Sequence, residues 1–371
     1  MKRSEIREKF MNILAATGKS SITRGEIVEL CKSNNLTVPQ WFLNDSSNRI
    51  RRGLFRIEQA TNSPQMAASV IPLKKINNIE TDIQKQDIVP SVYKNYVPFG
   101  NFGDLVAIIS SRQFIPVFIT GHSGNGKTLS VEQACAKLKR KFICVSMTHE
   151  TDESDLLGNY VLLDGQMVWR DGPVTVAARE GAVLCVDEID YGGQNLSTLQ
   201  RVLEGKPFLL KKKNELIVPA EGFTIIATAN TKGKGSDDGR YMFTNILNEA
   251  FLERFPITFE QVWPTEVVEK KILTKEFESL GISDDKLIDN LVTWANGIRK
   301  TFDAGGCDEV ISTRRLVHIA RTYSIFKNIK NAMEYCLNRF DDDTKKSFID
   351  LYSKIDSNVD TDKGNNNQPT A

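Results

Sequence analysis

The chain has 371 residues, 40% hydrophobic and 26% charged, with a formal net charge of +1. That length predicts two or three folded units of a soluble globular protein, and the near-neutral charge points to no particular class of partner. No apolar run reaches the roughly 18 residues that span a bilayer, and the start Met1-Lys2-Arg3-Ser4-Glu5 lacks the apolar stretch of a secretory signal, so a cytoplasmic protein with no membrane partner is expected.

Residues 1–60 read as a small, basic, mostly helical domain. Ile6, Phe10, Ile13 and Leu14 recur at helical spacing, and Thr23-Arg24-Gly25-Glu26 has the form of a capping box opening a second helix with Ile27, Leu30 and Cys31 on one face. Pro39 to Leu43 suits a short third helix, and Arg49 to Ile57 a strand or hairpin, so the unit has a winged-helix-like outline. Eleven Lys and Arg stand against six Asp and Glu here. Residues 61–92 are rich in Asn, Gln, Ser and Pro without a sustained period, which predicts a linker.

From residue 93 to 265 the pattern alternates strands and helices. Apolar runs over 114–120, 141–147, 182–186 and 223–229 are what a parallel sheet covered by helices on both faces requires. Residues 266–356 are helical by period, forming a lid, and the polar, Asn-rich 357–371 reads as a disordered tail. The fold expected is therefore α/β: a parallel-sheet core with a helical lid and a small helical N-terminal domain. Six scattered cysteines form no C-x-x-C pair. Cys144 and Cys185, inside apolar strands, are expected as reduced core residues, and the three isolated histidines give no basis for structural zinc.

The phosphate-binding pattern G-x-x-x-x-G-K-[ST] is met in full by Gly121, His122, Ser123, Gly124, Asn125, Gly126, Lys127 and Thr128, with Leu129 following. It lies between an apolar strand and a helix. Glycines let the backbone curl its N–H groups toward phosphates, and the helix N-terminus adds its dipole. Lys127 can reach the β- and γ-phosphates of ATP, and Thr128 can ligate Mg²⁺. The run Val183 to Glu188 is an apolar strand ending in two carboxylates. Beside a phosphate loop, Asp187 would hold Mg²⁺ and Glu188 would polarise the attacking water. Asp190 is expected to be structural.

These two motifs, with Ile225-Ile226-Ala227-Thr228-Ala229-Asn230, resemble the AAA+ ATPases. Asp155 to Gly158, the Val161–Arg170 hairpin, Gly172-Pro173 and the Phe208–Val218 hairpin are similar to the inserts of MoxR-type members. Asp187 to Asp190, Gln200 to Glu204, and Ala227 to Thr231 before a Gly-rich loop resemble the CobS subunit of aerobic cobaltochelatase, over about residues 97–340. The resemblance implies that Asn230 is the sensor 1 residue that positions water. It implies that Arg254, in Leu252-Glu253-Arg254-Phe255, is an arginine finger acting on a neighbour's γ-phosphate, and that Arg314, or alternatively Arg315, is sensor 2 in the lid.

A finger acting in trans implies a self-assembled ring, most often a hexamer. The function implied is Mg-ATP hydrolysis coupled to remodelling of a protein client, with Lys211 to Lys213, Tyr160, Met167 and Trp169 as candidate client contacts. Two alternatives stand beside it: the ATPase subunit of a cobaltochelatase complex, and a nucleic-acid-associated motor whose basic residues 1–60 meet phosphates.

Overall fold

A computed structural model of the chain describes residues 3–17, 19, 21–34, 36–44, 49–51, 54–56, 88–236 and 240–356. The expected tail 357–371 and most of the expected linker, residues 61–87, lie outside these. The chain divides into two units, Met1–Asn77 and Asn78–Ala371.

The first unit runs α1 (Arg3–Ala16), β1 (Ser21–Thr23), α2 (Arg24–Ser33), α3 (Gln40–Asn44), β2 (Arg49–Arg51) and β3 (Leu54–Arg56). The capping box forms: Glu26 N donates to Thr23 Oγ1, and the Glu26 carboxylate accepts from Thr23 N at 2.8 Å. This satisfies helix-end donors that otherwise lack partners. The strands pair antiparallel in the order β1-β3-β2. Phe10, Leu14, Ile27, Cys31, Phe42 and Phe55 form one buried cluster, whereas Trp41 remains partly exposed with its ring edge-on to Phe10.

The second unit opens with α4 (Phe102–Ser111), β4 (Val117–Thr120), α5 (Lys127–Leu138), β5 (Phe142–Ser146), α6 (Glu153–Leu157), the hairpin β6 (Gly158–Leu163) and β7 (Gln166–Asp171), then α7 (Pro173–Glu180) and β8 (Val183–Asp187). There follow the hairpin β9 (Phe208–Leu210) and β10 (Glu215–Ile217), then β11 (Thr224–Ala229), α8 (Glu249–Leu252) and β12 (Ile257–Glu260). Five strands form a parallel sheet in the order β12-β4-β11-β8-β5. Successive side chains of a strand face opposite ways. Val183 and Cys185 accordingly join the apolar layer under α4 and α5, while Leu184 and Val186 join the layer under α7. β4 and β11, in the middle of the sheet, are buried at every position.

Two sheet edges depart from expectation. β12 was not predicted: only four residues long, it alternates in burial instead of forming an apolar run. β5 was predicted as a two-face-buried strand but is the other edge, so Cys144 is exposed and not a core residue, while Cys185 beside it is buried as expected. Residues 88–90 are half-buried, with Ile88 O accepting from Phe142 N at 2.8 Å, whereas Val92 is exposed.

The helical region comprises α9 (Glu266–Ser279), α10 (Asp285–Asp303), α11 (Thr313–Phe326), α12 (Ile329–Leu337) and α13 (Asp342–Ile355). Its core centres on Trp294, whose Nε1 donates to Phe348 O at 2.8 Å. Arg299 and Glu269 are paired inside it through two bonds of 2.7 and 2.8 Å, and Thr313 Oγ1 donates to the same carboxylate at 2.7 Å. Among the described residues no helix is long and apolar enough to cross a membrane.

Candidate active site

The phosphate loop joins β4, a buried central strand, to the first turn of α5. Its backbone conformation depends on glycine. Gly121 and Gly124 have φ of +147° and +80°, a region that costs residues with a Cβ. At Gly124 a Cβ would also lie 2.7 Å from Ser312 Oγ, and Gly124 O accepts from Arg314 N at 3.2 Å. The loop therefore touches the first turn of α11 directly. Asn125 is buried and its amide donates to Gln261 O, fixing the loop to the residue after β12.

Lys127 is buried. Its ammonium donates to Gly121 O at 2.7 Å, His122 O at 3.1 Å and Asn230 Oδ1 at 3.0 Å. Burial pulls its pKa down to about 8, although Asp187, Asp190 and Glu188 push the other way. Thr128 Oγ1 donates to Asp187 Oδ1 at 2.7 Å, and Thr228 Oγ1 donates to the same oxygen. Parallel pairing sets this meeting: Val186 lies opposite Ala227, so Asp187 and Thr228 leave neighbouring strands side by side.

Glu188, just past β8, has φ of +55°, and its N–H donates to Thr228 Oγ1 at 3.3 Å. Partial burial raises its carboxyl, and the neighbouring carboxylates of Asp187 and Asp190 raise it further. Asp190 is fully buried. One of its oxygens accepts from Asn230 N, Thr231 N and Thr231 Oγ1 at 3.0–3.1 Å, which holds the end of β11 where Asn230 meets Lys127. Burial raises its pKa against those bonds.

Lys127, Thr128, Asp187, Glu188, Thr228 and Asn230 line a cavity of about 300 Å³, together with Ser123, Gly124, Leu129 and Arg314. The two arginine candidates of the lid part company. Arg314 lines the cavity, whereas Arg315 donates to Cys336 O and stands over the Phe340 ring at 5.4 Å. His122 stacks on Trp263 with ring centres 5.3 Å apart and lies edge-on to Phe302 at 5.7 Å. Arg254 is not among the described residues lining this cavity. It donates to Ala250 O and pairs with Glu204 at 3.3 Å.

The far end of the cavity was not legible in the sequence. Tyr93, Tyr96, Val97 and Phe99 form a strap over it, facing Ile272 and Val317 of the helical region. Glu276, nearly buried, accepts from Tyr93 OH at 2.9 Å, Asn95 Nδ2 at 3.2 Å and Arg321 Nε. Burial would raise its carboxyl, but these donors outweigh it and leave the pKa lowered. The residues come from segments nearly two hundred positions apart, and no spacing connects them. The cluster of Tyr93, Tyr96, Val97 and Phe99 was the one available sign.

Comparison with known proteins gives two family matches: an AAA domain of the dynein-related subfamily over residues 116–255, and the CbbQ/NirQ/NorQ C-terminal domain over residues 269–353. The chain is 28% identical over 260 residues to protein NorQ of Paracoccus denitrificans, covering 68% of this chain and 92% of that protein. It is 28% identical over 293 residues to the aerobic cobaltochelatase subunit CobS of a Sinorhizobium species, covering 74% and 86%. Protein CbbQ of Hydrogenophilus thermoluteolus is 28% identical over 206 residues, covering 55% and 72%.

Proposed function

The chain belongs to the AAA+ ATPases of the MoxR type, and on that premise we propose that it hydrolyses Mg-ATP in a ring of its own copies and uses the cycle to remodel a protein client. The observation that carries the ring is the position of Arg254. Lys127, Thr128, Asp187, Glu188, Asn230 and Arg314 share one cavity, while Arg254 stands on another surface beside Glu204. Outside its own cavity, it would serve the cavity of a neighbouring copy. There it would neutralise charge on the transferred phosphoryl, an effect worth about 10³-fold or more in turnover.

Within the cavity the loop N–H groups from Gly121 to Leu129 receive the phosphates and the Lys127 ammonium spans the β and γ groups. Thr128 Oγ1 and Asp187 Oδ1, 2.7 Å apart, are hard oxygen donors. That pair fits Mg²⁺, which takes one or two protein oxygens, phosphate oxygens and water. When bound, Mg²⁺ neutralises charge on the β- and γ-phosphates. Glu188 accepts a hydrogen bond from the attacking water and orients it. Asn230 fixes that water and the terminal phosphate, and Arg314 ties the phosphate to the lid.

Client contact is proposed for the two hairpins, where Leu162, Met167 and Leu216 are exposed. Lys211, Lys212 and Lys213 are already paired with Glu153, Ser154 and Glu215, and Trp169 is packed against Tyr160 and bonded to Asp171, so the exposed apolar residues of the hairpin strands are the better candidates. The similarity to CobS does not select cobalt chelation, because NorQ is equally similar. A second reading, nucleic-acid contact through residues 1–60, is carried by the α1-β1-α2-α3-β2-β3 order and the local basic excess. It requires binding that weakens steeply with salt.

Subunit mixing tests the ring. Arg254→Ala and Glu188→Gln should each be nearly inactive alone. Mixed, they should regain turnover, because some interfaces pair an intact Arg254 with an intact Glu188. Full activity of Arg254→Ala alone, or no recovery on mixing, overturns the trans assignment. Glu188→Gln, retaining ATP, also serves to trap the client.

A further inference from the structure

The segment after β11 reaches back into the phosphate loop. The Tyr241 hydroxyl accepts a hydrogen bond from Ser123 N at 3.2 Å. On the ATPase reading, Ser123 N–H would face the γ-phosphate end of the loop. The Lys127 ammonium, which spans the β- and γ-phosphates, is bonded to the carbonyls of Gly121 and His122, the two residues immediately before it.

The same segment is anchored elsewhere at both ends. The Arg240 guanidinium lies over the Phe302 ring at 4.0 Å and donates to Asp308 O at 3.0 Å, both in the lid. Asn245 donates through its N–H to Asp190 O at 2.7 Å and through its amide to Tyr191 O at 3.1 Å, both just past Glu188. Between these anchors Met242 and Phe243 are 63% and 72% exposed, and Ile246 follows at 78%. Tyr241 is thus the member of an apolar-tipped bridge that touches the nucleotide site.

Resting on the ATPase reading above, we propose that Tyr241 is a positioning residue that senses the γ-phosphate: its hydroxyl holds the Ser123 N–H until the terminal phosphate of ATP takes that donor. A phosphate oxygen accepts more strongly than a phenol, since charge-assisted bonds are about twice as strong as neutral ones. ADP has no group at that end and leaves Tyr241 in place. The exchange removes the tie of the Tyr241 ring to the loop, while Tyr241 N stays bonded to Ser236 Oγ at 3.0 Å, the Phe243 ring stays edge-on to His149 at 5.9 Å and Asn245 keeps its anchor, so the stretch 241–244 loosens at its loop contact only in the ATP state.

The experiment compares full-length wild type with Tyr241→Phe, which deletes the hydroxyl and keeps the ring. Dissociation constants are measured for ADP and for a non-hydrolysable ATP analogue. Loss of one competing neutral hydrogen bond should tighten the analogue about two- to tenfold and leave ADP unchanged. A merely structural tyrosine would shift both nucleotides by one factor, and that result, or no shift in either, overturns the proposal. Hydrogen exchange over residues 240–247 of the wild type should speed up with the analogue and not with ADP, and equal exchange in both states also overturns it. If wild type binds neither nucleotide, or Lys127→Ala binds both as wild type does, the nucleotide site itself is refuted, an outcome distinct from a lost ATP-over-ADP difference.

Discussion

Raising the pH should weaken ATP binding through Lys127. Burial lowers its ammonium from the ordinary 10.5 to about 8, because the loop carbonyls and Asn230 replace water incompletely. Phosphate binds the charged form only. At pH 7 about nine in ten such side chains carry the proton, and at pH 9 about one in ten. ATP affinity should therefore fall about tenfold over that interval, or about 1.4 kcal/mol. Calorimetric titration at pH 7, 8 and 9 reads this directly, and at pH 9 binding should take up close to one proton, visible in buffers of different ionisation enthalpy. Lys127→Arg keeps its charge throughout and should show a flat profile. Stability of the nucleotide-free chain moves the opposite way. The unfolded chain holds this proton up to about 10.5 and the folded chain only to about 8, so between those values the unfolded state binds more protons and this group's contribution to stability rises with pH. A flat wild-type affinity from pH 7 to 9, or the same decline in Lys127→Arg, would refute the argument.

Three further substitutions test the lid. Glu269→Ala strands Arg299, whose side chain is 4% exposed, without its carboxylate; removing one partner of a buried pair is expected to destabilise the lid by about 3–5 kcal/mol, measured by urea unfolding, and a loss under about 1 kcal/mol contradicts the pairing. Arg314→Ala should lower turnover with little change in lid stability, and Arg315→Ala the reverse, because one lines the cavity and the other bonds Cys336 O; an ATPase assay beside thermal unfolding separates them, and identical profiles for the two would count against the assignment.

The parallel core was legible because central strands of a parallel sheet are buried on both faces and must be apolar throughout, as Val117–Thr120 and Thr224–Ala229 are. The edges were not. β12 carries only Ile257 and Phe259 as apolar residues, and β5 reads as apolar although Cys144 faces out. The phosphate loop and acidic pair were legible because local backbone chemistry restricts residue type there: glycines at positive φ, a lysine one step past them, carboxylates at a strand end. Glu276, Arg321 and Tyr241 were not, since each owes its position to a contact made across the fold. Arg314 and Arg315 are adjacent in sequence, and only the direction of α11 separates one pointing at the cavity from one pointing into the lid.

That direction follows from how tightly the loop and lid are joined. Gly124 O accepts from Arg314 N, and Ser312, whose hydroxyl caps α11 through Arg315 N, fills the space a Cβ on Gly124 would need. His122 is stacked on Trp263, whose ring lies 4.7 Å from the Arg299 guanidinium. Arg299 in turn is locked to Glu269, which Thr313 at the start of α11 also bonds. The path from phosphate loop to lid and back therefore closes on α11 through residues that are buried or stacked at each step. Packed interiors do not deform smoothly, so on the proposed function a shift of the loop on taking or losing a phosphate would be passed to the helical region as a body. The proposed lever would turn on the contact between Gly124 and the first turn of α11, where a Cβ on Gly124 would lie 2.7 Å from Ser312 Oγ.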